Sequence, residues 1–277
     1  MTVQTKDNTS QLYFDVEKMH VSQLGLNGIA GRDHAVVVRP GEEDKIISLC
    51  SETYELVKND LIFPVIEQQF QGTNFRTKVQ NYNDASFSVD YIFPLQGLDF
   101  LKDDKLQFRL NTSHSYDKTK KFDVSAGLFR QLCSNGLSVP VQIAAALDFK
   151  MEMSGQHTHD NVKGMLENFK TWLPAVLNKF PSAMKDAFAP MHDKKVDDYA
   201  TRILEVVTAT GVFSTKLVED AVAVAQTEQM LAGLPATDWL TYNAINNLIF
   251  SDEVNRKSDW DRRRADQKVL EYMVATV

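Results

Sequence analysis

The spacing of apolar positions along the chain changes period more than once, and those changes divide it. Residues 1–41 mix apolar and polar positions without a sustained period. Gly25, Gly28, Gly31 and Gly41 read as turns there, so the stretch is expected to be an N-terminal arm. From Glu42 the spacing of Ile46, Leu49, Cys50, Tyr54 and Val57 predicts a helix, with Glu42, Glu43 and Asp44 favourably placed in its first turn. Pro64 is expected to start a second, short helix carrying Val65, Ile66 and Phe70, and Gly72 to close it.

The period then falls from about 3.6 to 2. Phe75, Thr77 and Val79 alternate with Arg76, Lys78 and Gln80. Beyond a turn at residues 81–84, Phe87, Val89, Tyr91 and Phe93 alternate with Ser86, Ser88 and Asp90. Leu106, Phe108 and Leu110 alternate with Lys105, Gln107, Arg109 and Asn111, and after a turn at residues 116–120, Phe122 and Val124 alternate with Lys121, Asp123 and Ser125. These four strands predict an antiparallel meander whose apolar face needs helices against it. A short helix at Leu128, Phe129 and Leu132 is expected to stop at Asn135 and Gly136. Pro140 limits residues 138–142 to an edge strand, and Leu147, Phe149, Met151 and Met153 predict a fifth strand.

From residue 157 the apolar spacing is helical to the end, with breaks expected at Pro181, Pro190, Gly211 and residues 233–235. The fold class is therefore α+β: an antiparallel β-meander with helices on one face, followed by a mostly helical C-terminal half. The expected division is an arm at 1–41, an α+β core at 42–156 and a helical region at 157–277.

A chain of 277 residues that is 43% hydrophobic and 24% charged is not globally disordered. Thirty Lys and Arg against thirty-seven Asp and Glu give a net charge of −7, so attraction to nucleic acid has to be local. Cys50 and Cys133 give no disulfide framework, and residues 1–10 lack the apolar core of a secretory signal. No apolar run approaches the ~20 residues of a membrane span. A cytoplasmic protein without a membrane partner is expected, in the host cytoplasm if the chain is phage-encoded.

The familiar catalytic motifs, GxxxxGK[ST], GxGxxG after a strand, HExxH and GxSxG, are absent. His157 and His159, with Asp160 beside them, are either metal donors or residues capping the helix that begins near Asp160. A metal would need a further ligand, and none is identifiable, so no metal or cofactor is assigned. Cys133 reads as a packing thiol. The meander leans basic within an acidic chain. Its polar positions hold Arg76, Lys78, Lys105, Arg109 and Lys121, and Lys118 and Lys120 cluster at one turn. Cationic side chains neutralise phosphates and aromatic rings stack on bases, so these seven are the candidate nucleic-acid-binding residues. A second basic group, Arg256, Lys257, Arg262, Arg263 and Arg264 around Trp260, is interleaved with Asp252, Glu253, Asp259, Asp261 and Asp266. A salt-bridged, solvated helix explains that group equally well.

Two stretches, Phe129-Arg130-Gln131-Leu132-Cys133-Ser134-Asn135-Gly136-Leu137 and Thr237-Asp238-Trp239-Leu240-Thr241-Tyr242-Asn243-Ala244, resemble the phage- and plasmid-encoded family known as domain of unknown function 932. The resemblance spans most of residues 40–275 and implies a mobile-element setting rather than a reaction. Members often carry a histidine a turn or two after Tyr-Asn-Ala, where this chain has Ile249, Phe250 and Ser251. That departure counts against a shared histidine-based site. In topology the helix, basic-faced meander and following helix are similar to phage single-strand annealing recombinases of the Redβ and Erf types. That resemblance implies a nonenzymatic homo-oligomer holding single-stranded DNA, with Arg76, Lys78, Arg109 and Lys121 on phosphates and Lys105, Lys118 and Lys120 at the groove edge. Two other readings are a mobile-element factor that binds a host protein complex and a metal-dependent nuclease built around His157 and His159.

Overall fold

The computed structural model describes residues 9–29, 31–39, 45–98, 105–130, 136–137, 150–152, 158–251 and 259–277. The fold is α+β. Strands β1 (Val16–His20), β2 (His34–Val38) and β3 (Lys45–Cys50) form one antiparallel sheet in that order. Strands β4 (Arg76–Tyr82), β5 (Ser86–Phe93), β6 (Leu106–Ser115) and β7 (Asp123–Arg130) follow one another across a second sheet, as the alternation predicts. The short strands β8 (Gly136–Leu137) and β9 (Lys150–Glu152) both pair with β7. The helices are α1 (Asn59–Gln68), α2 (His159–Asp193), α3 (Tyr199–Thr210), α4 (Val218–Ala232), α5 (Asp238–Phe250) and α6 (Asp259–Ala275). The chain divides into two compact units, 1–93 with 110–125 and 150–175, and 94–109 with 126–149 and 176–277. The division falls inside β6, β7 and α2.

The stretch expected as an arm folds instead into β1 and β2, and the helix expected from Glu42 is strand β3. Ile46, Leu49 and Cys50 suit a helical spacing, but β-branched Ile46 and Ile47 suit a pleated surface better. The run Val36-Val37-Val38 lies opposite them, with Val37 facing Ile46, Val36 facing Ser48 and Ala35 facing Leu49. One face of this sheet buries Val21, Ala35 and Val37 against Met19, Leu24 and Leu49. Pairing with a neighbouring strand decided what the local period left ambiguous.

In the first unit the apolar face of β5 carries Phe87, Val89, Tyr91 and Phe93, all buried. The Phe70 ring packs 5.5 Å from Tyr91 and 5.2 Å from Phe93, and Tyr116 packs 5.0 Å from Phe87. Helix α1 begins at Asn59, before Pro64, because its end is capped from afar: the Asn59 N–H donates to the Tyr116 hydroxyl at 3.0 Å. Pro64 sits inside the helix with its ring exposed. Leu128 and Phe129 belong to β7, opposite Leu137 and Gly136, so the short helix expected there does not begin at them and Gly136 opens a strand. Cys133, the segment around Pro140, Leu147 and Phe149 lie outside the described residues, whereas β9 gives the fifth strand at Lys150–Glu152.

In the second unit α2 continues through Pro181 and Pro190, where breaks were expected. An interior proline costs a helix about 3 kcal/mol. Val176, Phe180, Met184, Phe188 and Met191 form a continuous buried stripe that offsets this, with Phe180 4.9 Å from Phe108. Helix α3 ends as expected at Gly211, whose φ of 63° suits a residue without a side chain. Helix α5 is buried from Asp238 through Asn246, and several of its polar side chains donate to groups within the protein. Asn243 Nδ2 donates to the Trp239 carbonyl at 2.8 Å, and the Tyr242 hydroxyl and Asn246 Nδ2 donate to Asp266 at 2.9 and 2.8 Å.

The fully buried Asp238 carboxylate receives a two-pronged grip from Arg202, at 2.8 and 2.9 Å, and Lys194 approaches to 3.1 Å. Removing one partner of such a pair strands the other charge in a desolvated setting. Asp238→Ala is therefore expected to destabilise the protein by about 3–5 kcal/mol in urea denaturation. A loss below about 1 kcal/mol, the range of exposed pairs, would contradict the account.

Candidate functional site

The seven predicted cations fall into three groups. Arg76 and Lys78 lie on β4, Lys78 exposed and opposite Asp90, Arg76 half-buried, with burial pushing its guanidinium below its ordinary value. Lys105 and Arg109 belong to the other unit, where Lys105 is exposed and Arg109 only 6% exposed. Lys118, Lys120 and Lys121 come together in and just after the β6–β7 turn. The polar side of the sheet in the first unit is not a uniformly basic surface. Asn111 Nδ2 donates to Ser88 at 2.9 Å and to Asp90 at 2.6 Å, and the Ser113 hydroxyl donates to Asp123. Burial pushes the Asp123 carboxyl up, against the Ser113 hydrogen bond. Lys121 lies 3.6 Å from Glu152 and Lys150 3.1 Å from the same carboxylate.

The turn end of the meander is different. The β4–β5 turn places Asn83 and Asp84 both in the left-handed region, at φ 55° and 60°, with the Ala85 N–H donating to the Tyr82 carbonyl at 3.0 Å. The Tyr116 N–H in turn donates to the Ala85 carbonyl at 2.7 Å, so the two hairpin tips are joined. The first sheet meets them here. Arg39 and Lys45 donate to one Asp84 oxygen at 2.9 and 3.2 Å, Ser48 donates to the Tyr116 carbonyl at 3.1 Å, and Lys118 Nζ donates to the Leu49 carbonyl at 2.6 Å.

Strain concentrates at the same place. Among the described residues the non-glycine residues with left-handed φ are Arg39, Asn83, Asp84 and Lys118, and all four stand at this tip. Asn and Asp tolerate that conformation, but Arg39 at 51° and Lys118 at 67° each cost about 1 kcal/mol or more. Such strain persists where the surrounding contacts over-determine it, and functional surfaces are where it collects.

Rings complete the cluster. Lys118 Nζ lies 5.0 Å from the centroid of Tyr54, and Lys120 Nζ lies 4.9 Å from the centroid of Tyr82. Tyr82 is 40% exposed, whereas Tyr54 is half-buried and its hydroxyl is pushed up to about 12 by burial and by the nearby Cys50 and Asp117. Arg39 and Lys45 thus bind the Asp84 carboxylate, and Lys118 and Lys120 rest against tyrosine rings at the same turns, one of those rings, Tyr82, being exposed. Sequence reasoning named Lys118 and Lys120 but missed Arg39, Lys45, Tyr54 and Tyr82, which have no local signature and are assembled by the docking of β3 on the turns.

The remaining candidates settle elsewhere. His157 lies outside the described residues. His159 opens α2, where its N–H donates to Glu55 at 2.6 Å and its Nδ1 stands 3.2 Å from the same oxygen. Among the described residues no group of three or more His, Cys, Asp or Glu is disposed to hold a metal ion. Of the second basic group, Arg262 donates to the Phe250 carbonyl at 3.2 Å, and Arg256, Lys257 and the side chain of Trp260 lie outside the described residues. Arg130, in one of the two stretches that carry the family resemblance, is fully buried, 2.6 Å from Glu228 and over the Trp239 ring at 5.8 Å, which makes it part of the interior. No helix among the described residues is long and apolar enough to cross a membrane. No family model, curated protein or solved structure matches the chain, so the tip is interpreted from its own chemistry.

Burial raises the Asp84 carboxyl, but hydrogen bonds from Asn81, Arg39 and Lys45 outweigh it and hold the group below the usual carboxylate value. A depressed folded value contributes stability above the unfolded value of about 3.9, and that contribution disappears as pH falls through the folded value. Asp84→Asn is therefore expected to lower the melting temperature at pH 7, with the difference from the parent closing as pH falls below about 3.9. A difference that stays constant from pH 7 to pH 3 would show that Asp84 does not act through its charge.

Proposed function

We propose that the protein is a nonenzymatic binder of single-stranded nucleic acid, DNA in the first instance, and that the strand is held at the tip formed by the two hairpin turns and β3. The observation that carries this reading is the ammonium of Lys120 poised over the exposed ring of Tyr82. An exposed contact of that kind is worth about 0.5–1 kcal/mol, whereas a base stacked on an aromatic ring is worth about 1–3 kcal/mol. A strand that stacks a base on Tyr82 therefore repays the displaced lysine, which moves to a neighbouring phosphate. Arg39, Lys45 and Lys118 supply further positive charge at the same end, sufficient for local attraction in a chain whose net charge is −7.

This reading differs in place from the flat sheet face: it uses Lys118 and Lys120, with Lys121 at the margin, and leaves Lys105 and Arg109 out. Single-strand annealing by a homo-oligomer, in a phage or plasmid setting, would build on the same tip, because complementary bases must stay accessible while phosphates are held.

Fluorescence anisotropy of a labelled oligo-dT over a salt series separates the two kinds of contact. Lys118→Glu with Lys120→Glu is expected to weaken binding by about tenfold or more and to flatten the salt dependence, because phosphate contacts set that slope. Tyr82→Ala is expected to weaken binding with the slope unchanged, because stacking releases no counterions. Parent-like affinity in both variants would overturn the proposal.

A further inference from the structure

In the first sheet a histidine pair lies away from the tip. His20 and His34 are direct cross-strand partners on β1 and β2. The Val21 N–H donates to the Asp33 carbonyl at 2.8 Å, which makes His20 and His34 a pair without hydrogen bonds between their own backbones, the type in which facing side chains come closest. Their ring centroids are 5.2 Å apart, with planes at 87°. Two imidazoles bound to one zinc ion, at Zn–N distances of about 2.0–2.1 Å, have centroids about 5 Å apart.

The outer contacts also suit a ligand pair. Asp33 Oδ1 lies 2.8 Å from His34 Nδ1, an arrangement that holds the ring proton on Nδ1 and leaves the Nε2 lone pair for an ion. The Ser22 N–H donates to His20 Nδ1 at 3.2 Å, which in the neutral ring places the proton on Nε2. Ser22 Oγ is 2.6 Å from the same Nδ1 and can accept a hydrogen bond from it, so His20 can take the other tautomer, exchanging the Ser22 N–H bond for the hydroxyl one and freeing Nε2 with no net release of protons. His20 is exposed and the His34 side chain is 17% exposed, so an ion has access from solvent.

We propose that His20 and His34 form a two-imidazole site for a borderline divalent transition ion, Zn²⁺ or its neighbours Ni²⁺ and Cu²⁺, with Asp33 orienting His34 and with water in the other coordination positions. With two protein ligands the site is open and exchangeable, unlike a four-ligand structural zinc centre. Occupancy clasps β1 to β2 and stabilises the folded chain by mass action.

Isothermal titration of ZnCl₂ into the chelator-treated full chain, with thermal melts in parallel, tests the site. One Zn²⁺ per chain is expected, with a rise in melting temperature that grows with zinc concentration. His20→Gln and His34→Gln are each expected to weaken binding by about tenfold or more and to remove the zinc-dependent shift. Both variants should melt like the parent in EDTA, and because His20 is exposed, His20→Gln keeps the test valid if His34→Gln folds poorly. His159→Gln should leave zinc binding unchanged. No heat and no stabilisation in the parent, or parent-like binding in both strand variants, would overturn the proposal and reduce the histidine contact to ring packing.

Discussion

The carboxylate of Asp84 sits in the three-residue β4–β5 turn and receives Lys45 from β3 and Arg39 from just beyond β2. Asn81, near the end of β4, adds its Nδ2 at 2.7 Å, so one small side chain meets three donors. Only 12% of that side chain is exposed, which removes much of the screening that makes surface ion pairs weak. Asp84 itself stands in the left-handed region, as does Arg39, which it holds, while Lys118 in the neighbouring turn is held in the same region with its ammonium on the Leu49 carbonyl. The first unit therefore carries a charge-centred turn together with a buried aromatic core of Phe70, Phe87, Tyr91, Phe93 and Tyr116.

The charge arrangement bears on the proposed binding. A carboxylate that gathers two cations and stays ionised at neutral pH fixes positive charge at the turns of the first unit. Lys118 is anchored by the Leu49 carbonyl, and Lys120 rests on a ring. The side chains are thus partly ordered before any ligand arrives, and a ligand that engages them loses less to side-chain entropy. The polar flank of the sheet lacks this character, because its serines, Asn111 and aspartates hydrogen-bond one another.

The meander was legible because its two faces differ: where one side packs on aromatics and the other carries Ser, Asn and charge, the period of two is written into residues 75–125. The helical second half was legible for the same reason at period 3.6. Strand β3 was not, since apolar residues at 46, 47, 49 and 50 satisfy either period and the deciding partner, Val36-Val37-Val38, is only evident once strands pair. The prolines of α2 misled because local cost was outweighed by a buried stripe that has no local marker. For the site, the lysines of the β6–β7 turn were visible as a cluster. Arg39 and Lys45 were not, because nothing near them in sequence announces that their counter-ion is Asp84, and no glycine marks the left-handed backbone of Arg39 or Lys118.

A backbone amide NMR map of the full chain titrated with oligo-dT would locate the bound strand residue by residue. The largest shifts are expected to fall together on Arg39, Tyr82, Asp84 and residues 117–121, with the helical unit little changed. Shifts concentrated on the helical unit, on Lys105 and Arg109, or nowhere at saturating oligonucleotide would contradict that expectation.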